Sequence, residues 1–242
     1  MDTTEALVFS PHPDDAEMGC GGTIASLSHA GHSVALCYIT RGEMGTRGDV
    51  ETRAAETREA LQILGVLHHV YADIPDAGVT NTQENRLKIV AILRTFRPRI
   101  VLTPHHESLH PDHVQASLLI RDAIYLSGLM KIETGQERYR PESVFYYPLR
   151  PEFTPSLVVD ITGHFGSKMN AIRAYRSQFY DPATPNAPET LLSVPDFLDR
   201  LAAIARYYGA LIGVTYGEGY GVDFPLALPS PTSLLGLSCR MR

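Results

Sequence analysis

Apolar residues follow two rhythms along this chain, and its unusual polar residues fall where one rhythm gives way to the other. The run Ala6-Leu7-Val8-Phe9 is short and apolar throughout, as a strand buried on both faces would be. Ile24, Ala25 and Leu27 then recur at helical spacing up to Ala30, where Gly31 ends the helix. Between them lie His12-Pro13-Asp14-Asp15, Glu17 and the glycine-rich Gly19 to Gly22, on a strand-to-helix turn. Ser33 to Thr40 predicts a second strand, with Val34, Leu36 and Tyr38 on one face and Ala35, Cys37 and Ile39 on the other. Arg41 to Gly48 is a polar, glycine-rich loop at that strand's carboxyl end. Asp49 then caps a helix to about Leu64, with Ala55, Leu61 and Leu64 turned inward and Arg53 in its first turn.

The alternation continues. Val66 to Tyr71 predicts a third strand, Asp73 to Thr82 a loop, and Gln83 to Phe96 a helix stopped by Pro98. Ile100 to Thr103 is a fourth strand, followed by a second polar group, His110-Pro111-Asp112-His113, and a helix from Val114 to Leu126. Four strand-then-helix units call for an α/β fold: a mostly parallel twisted sheet with right-handed crossovers and helices on both faces. With the common strand order 3-2-1-4, strands one and four are neighbours and both polar groups emerge at their carboxyl ends, at the topological switch point. Further on, Ser143 to Pro148 and Ser156 to Asp160 read as strands of an antiparallel extension. Ile161 to Tyr175 reads as a helix weakened at its start by Gly163 and Gly166. Asp181 to Pro195 is a proline-rich functional or interface loop, Asp196 to Leu211 a last helix, and Pro225 to Pro231 a proline-punctuated tail.

Composition narrows the function classes. A chain of 242 residues with 44 % hydrophobic content suits one domain spanning 1–242. The net charge of -6 and the scattered Lys and Arg argue against a nucleic-acid or acidic-membrane surface. No stretch approaches the roughly 20 apolar residues of a membrane span, and the start, with Asp2 and Glu5, lacks a basic leader, so a cytoplasmic location is the default. Cys20, Cys37 and Cys239 are odd in number and have no C-x-x-C spacing, which argues against a disulfide framework and a cysteine zinc site; Cys37 reads as packing.

The two polar groups complement each other. His12, Asp15 and His113 make a His-His-Asp set whose fourth position is open to water, the pattern of a catalytic rather than structural zinc site, though iron or manganese also suits it. Asp14 cannot share the ion, because adjacent side chains diverge, but it can reach the bound water as general base. His110 lies one turn before His113 and can stabilise an oxyanion or protonate a leaving amine when charged, with Asp112 steering its ring. Taken singly, each of these is an ordinary helix cap or solvated turn. Found together on adjacent strand ends, they describe a site. His105 and His106 lack a carboxylate at useful spacing, and His29, His32, His68, His69 and His164 read as surface or loop residues. The glycines at 19, 21 and 22 lack a phosphate loop's lysine and read as close helix packing.

The pair His12-Pro13-Asp14-Asp15 and His110-Pro111-Asp112-His113 resembles the signature of the LmbE-like, or N-acetylglucosaminyl-phosphatidylinositol deacetylase, superfamily of zinc-dependent N-deacetylases. Further stretches resemble its bacillithiol-pathway branch, which deacetylates N-acetylglucosaminyl-malate and related conjugates: Thr40 to Gly48, Arg53 with Glu56, Ala174 to Phe179, and Tyr216-Gly217-Glu218-Gly219-Tyr220. The resemblance implies a Rossmann-like sheet and a homo-oligomer, often a hexamer. It also implies one divalent ion on His12, Asp15 and His113, Asp14 as base, His110 as electrostatic or acid partner steered by Asp112, and Arg53 and Arg140 on a small N-acetylglucosamine-type substrate. Tyr220 stands where related chains more often have Phe, a change expected to alter only packing near the site mouth. Deacetylation of chitin oligosaccharides or another amide conjugate is the rival chemistry. A non-catalytic sugar- or nucleotide-binding module is the rival class.

Overall fold

Five short strands, β1 (Ala6–Ser10), β2 (Val34–Tyr38), β3 (His68–Tyr71), β4 (Ile100–Pro104) and β5 (Ser143–Tyr147), form one parallel sheet in the order β3-β2-β1-β4-β5. The computed structural model describes residues 4–150, 152–184 and 186–236; Cys239 lies outside them. The order over the first four strands is the one expected, so β1 and β4 are neighbours. Alternate residues of each strand enter opposite cores. Ala6, Val8, Leu36 and Tyr38 pack beneath α1 (Asp15–His29), α2 (Val50–Leu64) and α5 (Phe165–Ala174). Leu7, Phe9, Ala35 and Cys37 pack beneath α3 (Gln83–Phe96) and α4 (Pro111–Ser127). Every β1 and β2 residue is buried, which explains why these strands lack polar alternation.

Several boundaries and faces depart from the sequence reading. β5 runs parallel to β4, not antiparallel, because α4 carries the chain back across the sheet before it begins. The segment expected to extend the sheet, β6 (Leu157–Asp160), instead forms an antiparallel ribbon with β7 (Gly217–Tyr220), joined to β5 through a Tyr146–Gly221 bridge. α6 (Phe197–Ile212) precedes that return strand. α5 starts at Phe165, since 162–164 form a turn, and the third strand is shorter than expected, beginning at His68. On α2, Ala55 faces outward, and the buried face is Arg53, Glu56, Thr57, Ala60, Leu61 and Leu64. Cys20 and Cys37 are free and buried. Among the described residues no helix is long and apolar enough to cross a membrane.

Helix α1 carries the first polar group and is irregular. Its backbone leaves helical geometry at Cys20 (φ -143°, ψ 20°), which releases N–H groups in its middle. Glu218 of β7 accepts them: Gly22 N and Thr23 N lie 2.8 Å from its two oxygens, Thr23 Oγ1 donates at 2.7 Å, and Lys168 Nζ at 2.6 Å. Close packing explains the neighbouring glycines, for a Cβ at Gly19 would collide with the Tyr147 ring and one at Gly22 with Ile161. Tyr220 is buried beneath α1 and donates its hydroxyl to Thr23 Oγ1 at 2.6 Å. Losing that bond in Tyr220→Phe should cost about 1 kcal/mol, readable as a lower denaturant midpoint at unchanged slope.

Candidate active site

The turn after β1 is tied to itself. Ser10 Oγ donates to the His12 carbonyl at 2.6 Å and accepts from Ala16 N at 3.0 Å. Asp14 sits at φ 108°, a region that non-glycine residues rarely enter and that costs roughly 1–3 kcal/mol when occupied. The strained turn sends Asp14 one way and Asp15 the other. Asp14 meets Arg53, whose Nη2 donates to Asp14 Oδ2 at 2.9 Å and to the Pro13 carbonyl at 2.6 Å. Gly42 (φ 69°) wraps this guanidinium closely, and a Cβ there would strike it.

Asp15 faces the second polar group. His12 Nδ1, His113 Nε2 and Asp15 Oδ2 form a triangle with sides of 3.0, 3.1 and 3.3 Å, although His12 and His113 are 101 residues apart. Ligand atoms on a tetrahedral ion with bonds of about 2.05 Å stand about 3.3 Å apart, so the set fits a small divalent cation. The outer nitrogens have their own partners. His12 Nε2 lies 3.1 Å from Asp76 Oδ1 and 3.4 Å from Asp112 Oδ2, and His113 Nδ1 lies 3.0 Å from Ser108 Oγ. Each ring therefore has one nitrogen held by a neighbour and one facing the triangle, as metal-bound histidines do.

His110 caps α4, its Nδ1 accepting from Asp112 N at 3.2 Å, which leaves the hydrogen on Nε2. Its ring stacks on His113 at 4.7 Å and stands 4.8 Å from that of His12. Burial, and then the neighbouring imidazoles of His12 and His113, depress its pKa, which favours the neutral ring with its N–H on Nε2. Asp112 also reaches partners beyond His110, with one of its carboxylate oxygens within 4.8 Å of a His110 ring nitrogen. Its carboxylate accepts from Ala77 N (2.7 Å) and Val79 N (3.3 Å) and leans on His12, while its hydrogen bond to His110 runs through backbone.

Burial and charge set the protons. Burial lifts the Asp14 carboxyl to about 8 against the pull of Arg53. Burial also works to lower His12, but the carboxylates of Asp112, Asp15 and Asp76 outweigh it and hold that imidazole protonated up to about 12. Burial works to raise Asp15 as well, yet the two imidazoles hold it well below the usual carboxylate range. A cation entering the triangle must displace a proton from His12, so affinity should rise with pH. Zinc titrations at pH 7.5 in buffers of different ionisation enthalpy should report release of at least one proton per ion. Uptake without release would contradict this charge assignment.

Of the eight residues singled out from the sequence, seven come together here and Arg140 does not. Arg140 is exposed and donates to the Tyr125 carbonyl at 2.7 Å, near the end of α4, whereas the triangle lies at the start of that helix. About 20 Å of helix separates the two, at 1.5 Å per residue. Arg53 is buried and engaged with Asp14, with only its Nε unpartnered. Asp76 and Ser108 were not anticipated. Their one signal was position, on loops leaving the carboxyl ends of β3 and β4. Glu17, in the next turn of α1, accepts from Tyr38 and Tyr175 hydroxyls at 2.7 and 2.9 Å, and burial raises its pKa against those bonds.

Residues 7–124 match the family profile described as PIG-L, GlcNAc-PI de-N-acetylase. The diacetylchitobiose deacetylase of Thermococcus kodakarensis is 34 % identical over 235 residues, covering 90 % of this chain and 82 % of that protein. Among solved structures, the conserved protein TT1542 from Thermus thermophilus superposes with a TM-score of 0.85 at 38 % identity, covering 94 % of this chain and 98 % of the other. The N,N'-diacetylchitobiose deacetylase from Pyrococcus horikoshii gives 0.78 at 30 % identity, covering 91 % and 84 %.

Proposed function

The chain belongs to the PIG-L family of GlcNAc-type de-N-acetylases, and from that premise we propose that it hydrolyses the acetamido group of an N-acetylglucosamine conjugate with one bound divalent ion, zinc first among candidates. The observation that carries this reading is the His12–Asp15–His113 triangle with Asp14 and His110 beside it.

In this reading His12 Nδ1, His113 Nε2 and one Asp15 oxygen hold the ion. When bound, it supplies a Lewis acid and brings the pKa of a coordinated water to about 7. Asp14, in its ionised form, accepts the proton of the attacking water at Oδ1, which carries no hydrogen bond among the described residues, while Arg53 fixes Oδ2. His110 donates its Nε2–H to the oxygen of the acetyl group as charge develops there, a contribution typically worth about 10²–10³-fold in rate. The proton held by Asp14 then passes to the departing amine, which leaves Asp14 ionised for the next turnover.

Two aglycones compete. Resemblance of the 40–48 and 174–179 stretches favours N-acetylglucosaminyl-malate, as in bacillithiol biosynthesis, and similarity to the Thermococcus enzyme favours a chitin oligosaccharide. Arg53 is taken up by Asp14, and Arg140 lies at the far end of α4. The arginine left on the rim is Arg47, half-buried in the 41–48 loop, whose side chain pairs with nothing among the described residues. If malate is the aglycone, Arg47→Ala should raise KM for that conjugate about tenfold or more and leave deacetylation of free N-acetylglucosamine unchanged. Equal effects on both would assign Arg47 to scaffolding. A free-amine assay across N-acetylglucosamine, its malate conjugate and diacetylchitobiose, run on protein of measured metal content, decides the substrate. Activity lost to a chelator and restored by zinc supports the reading, and activity indifferent to the chelator overturns it.

A further inference from the structure

We propose that Asp76 is the positioning residue of the metal-binding edge: its carboxylate holds the hydrogen of His12 on Nε2 and so keeps the Nδ1 lone pair directed at the ion. The inference rests on the metal reading above. A neutral imidazole has one N–H and one lone pair, so His12 can serve as a ligand through Nδ1 only if its hydrogen resides on Nε2. Two carboxylates stand near that nitrogen. Asp76 Oδ1 is closer, at 3.1 Å, whereas Asp112 Oδ2 is at 3.4 Å and makes its shortest bond, 2.7 Å, to Ala77 N.

The loop bearing Asp76 is braced to aim it. Asp73 and Ala77, on either side, hold positive φ values of 51° and 58°, uncommon for non-glycine residues. Glu43 Oε1 accepts from Asp76 N at 2.8 Å, and Met44 N donates to Asp76 Oδ2 at 3.0 Å. The loop after β2 is thereby latched to the loop after β3, and both to His12. No ligand motif contains Asp76, which explains why residue spacing alone did not point to it.

The test is zinc affinity, measured by competition with a chromophoric chelator, together with the visible spectrum of the cobalt-substituted protein. Asp76→Ala should weaken zinc binding about 10–100-fold, the usual effect of losing such a partner, and alter the cobalt bands. Asp76→Asn, isosteric and still able to accept a hydrogen bond, should fall between Ala and wild type, which guards against a merely misfolded Ala variant. Asp73→Asn removes the same charge from the same loop, but its carboxylate faces Arg41, so it should bind zinc like wild type. Asp76→Ala within about twofold of wild type would overturn the proposal, as would Asp73→Asn weakening zinc as much as Asp76→Asn. Wild-type protein that takes up no zinc would overturn the metal reading and this proposal with it.

Discussion

Asp14→Asn should lower kcat by about 10²–10⁴-fold, the range ascribed to a positioned general base, while zinc content stays at one ion per chain. The substitution keeps the shape of the side chain and removes its ability to take a proton. Asp14 does not belong to the triangle: its Oδ2 is held by Arg53, and the turn at φ 108° directs it away from Asp15. Metal and chemistry should therefore separate cleanly, with zinc retained and turnover lost. KM should change little, because proton acceptance is needed in the transition state and not in the bound ground state. A loss in kcat of less than about tenfold would move the proton-accepting role elsewhere. A sugar-binding module without chemistry would show no turnover to lose, with ligand affinity intact in the variant.

The largest effect on stability should come from Glu218→Ala. Glu218 and Lys168 form a buried ion pair, and Glu218 also accepts the two N–H groups that the Cys20 irregularity releases from α1. Removing it leaves a buried ammonium and two buried donors without partners. Breaking one side of such a pair costs about 3–5 kcal/mol. For a chain of this size that corresponds to a melting temperature lower by roughly 6–20 °C, readable by calorimetry. Replacing both members together, Lys168→Met with Glu218→Gln, should recover part of the loss, because no uncompensated charge remains. A drop of less than about 1 °C in Glu218→Ala would mean that water or another group satisfies Lys168.

How far the chain could be read ahead of its structure follows from which forces wrote each part. The β1 and β2 runs are buried on both faces, so their lack of polar residues announced a central parallel pair, and strand order then brought residues 12 and 113 together. The ribbon was missed because Gly217-Glu218-Gly219-Tyr220 has neither alternation nor β-branched residues; it is a strand because Glu218 must reach α1. One of the stretches legible as family marks, 174–179, braces the loop beside the site. Ser177 donates from N and Oγ to Glu56 at 2.7 and 2.8 Å, and Gln178 Nε2 donates to the Arg47 carbonyl at 2.6 Å, securing the loop around Arg53. Asp112 was placed on the right rim, but its bonds to Ala77 and Val79 were not foreseen, because spacing along a helix does not say which way a carboxylate turns. Asp76 was beyond reach for a related reason: its function depends on a loop conformation that no periodicity encodes.

The most direct test of the central claim is a crystal of the zinc-loaded protein measured on both sides of the zinc absorption edge. The account predicts one anomalous peak per chain within about 2.3 Å of His12 Nδ1, His113 Nε2 and an Asp15 oxygen, the bond lengths expected for zinc. A peak ligated by other residues, or none at this triangle in fully loaded protein, would contradict it.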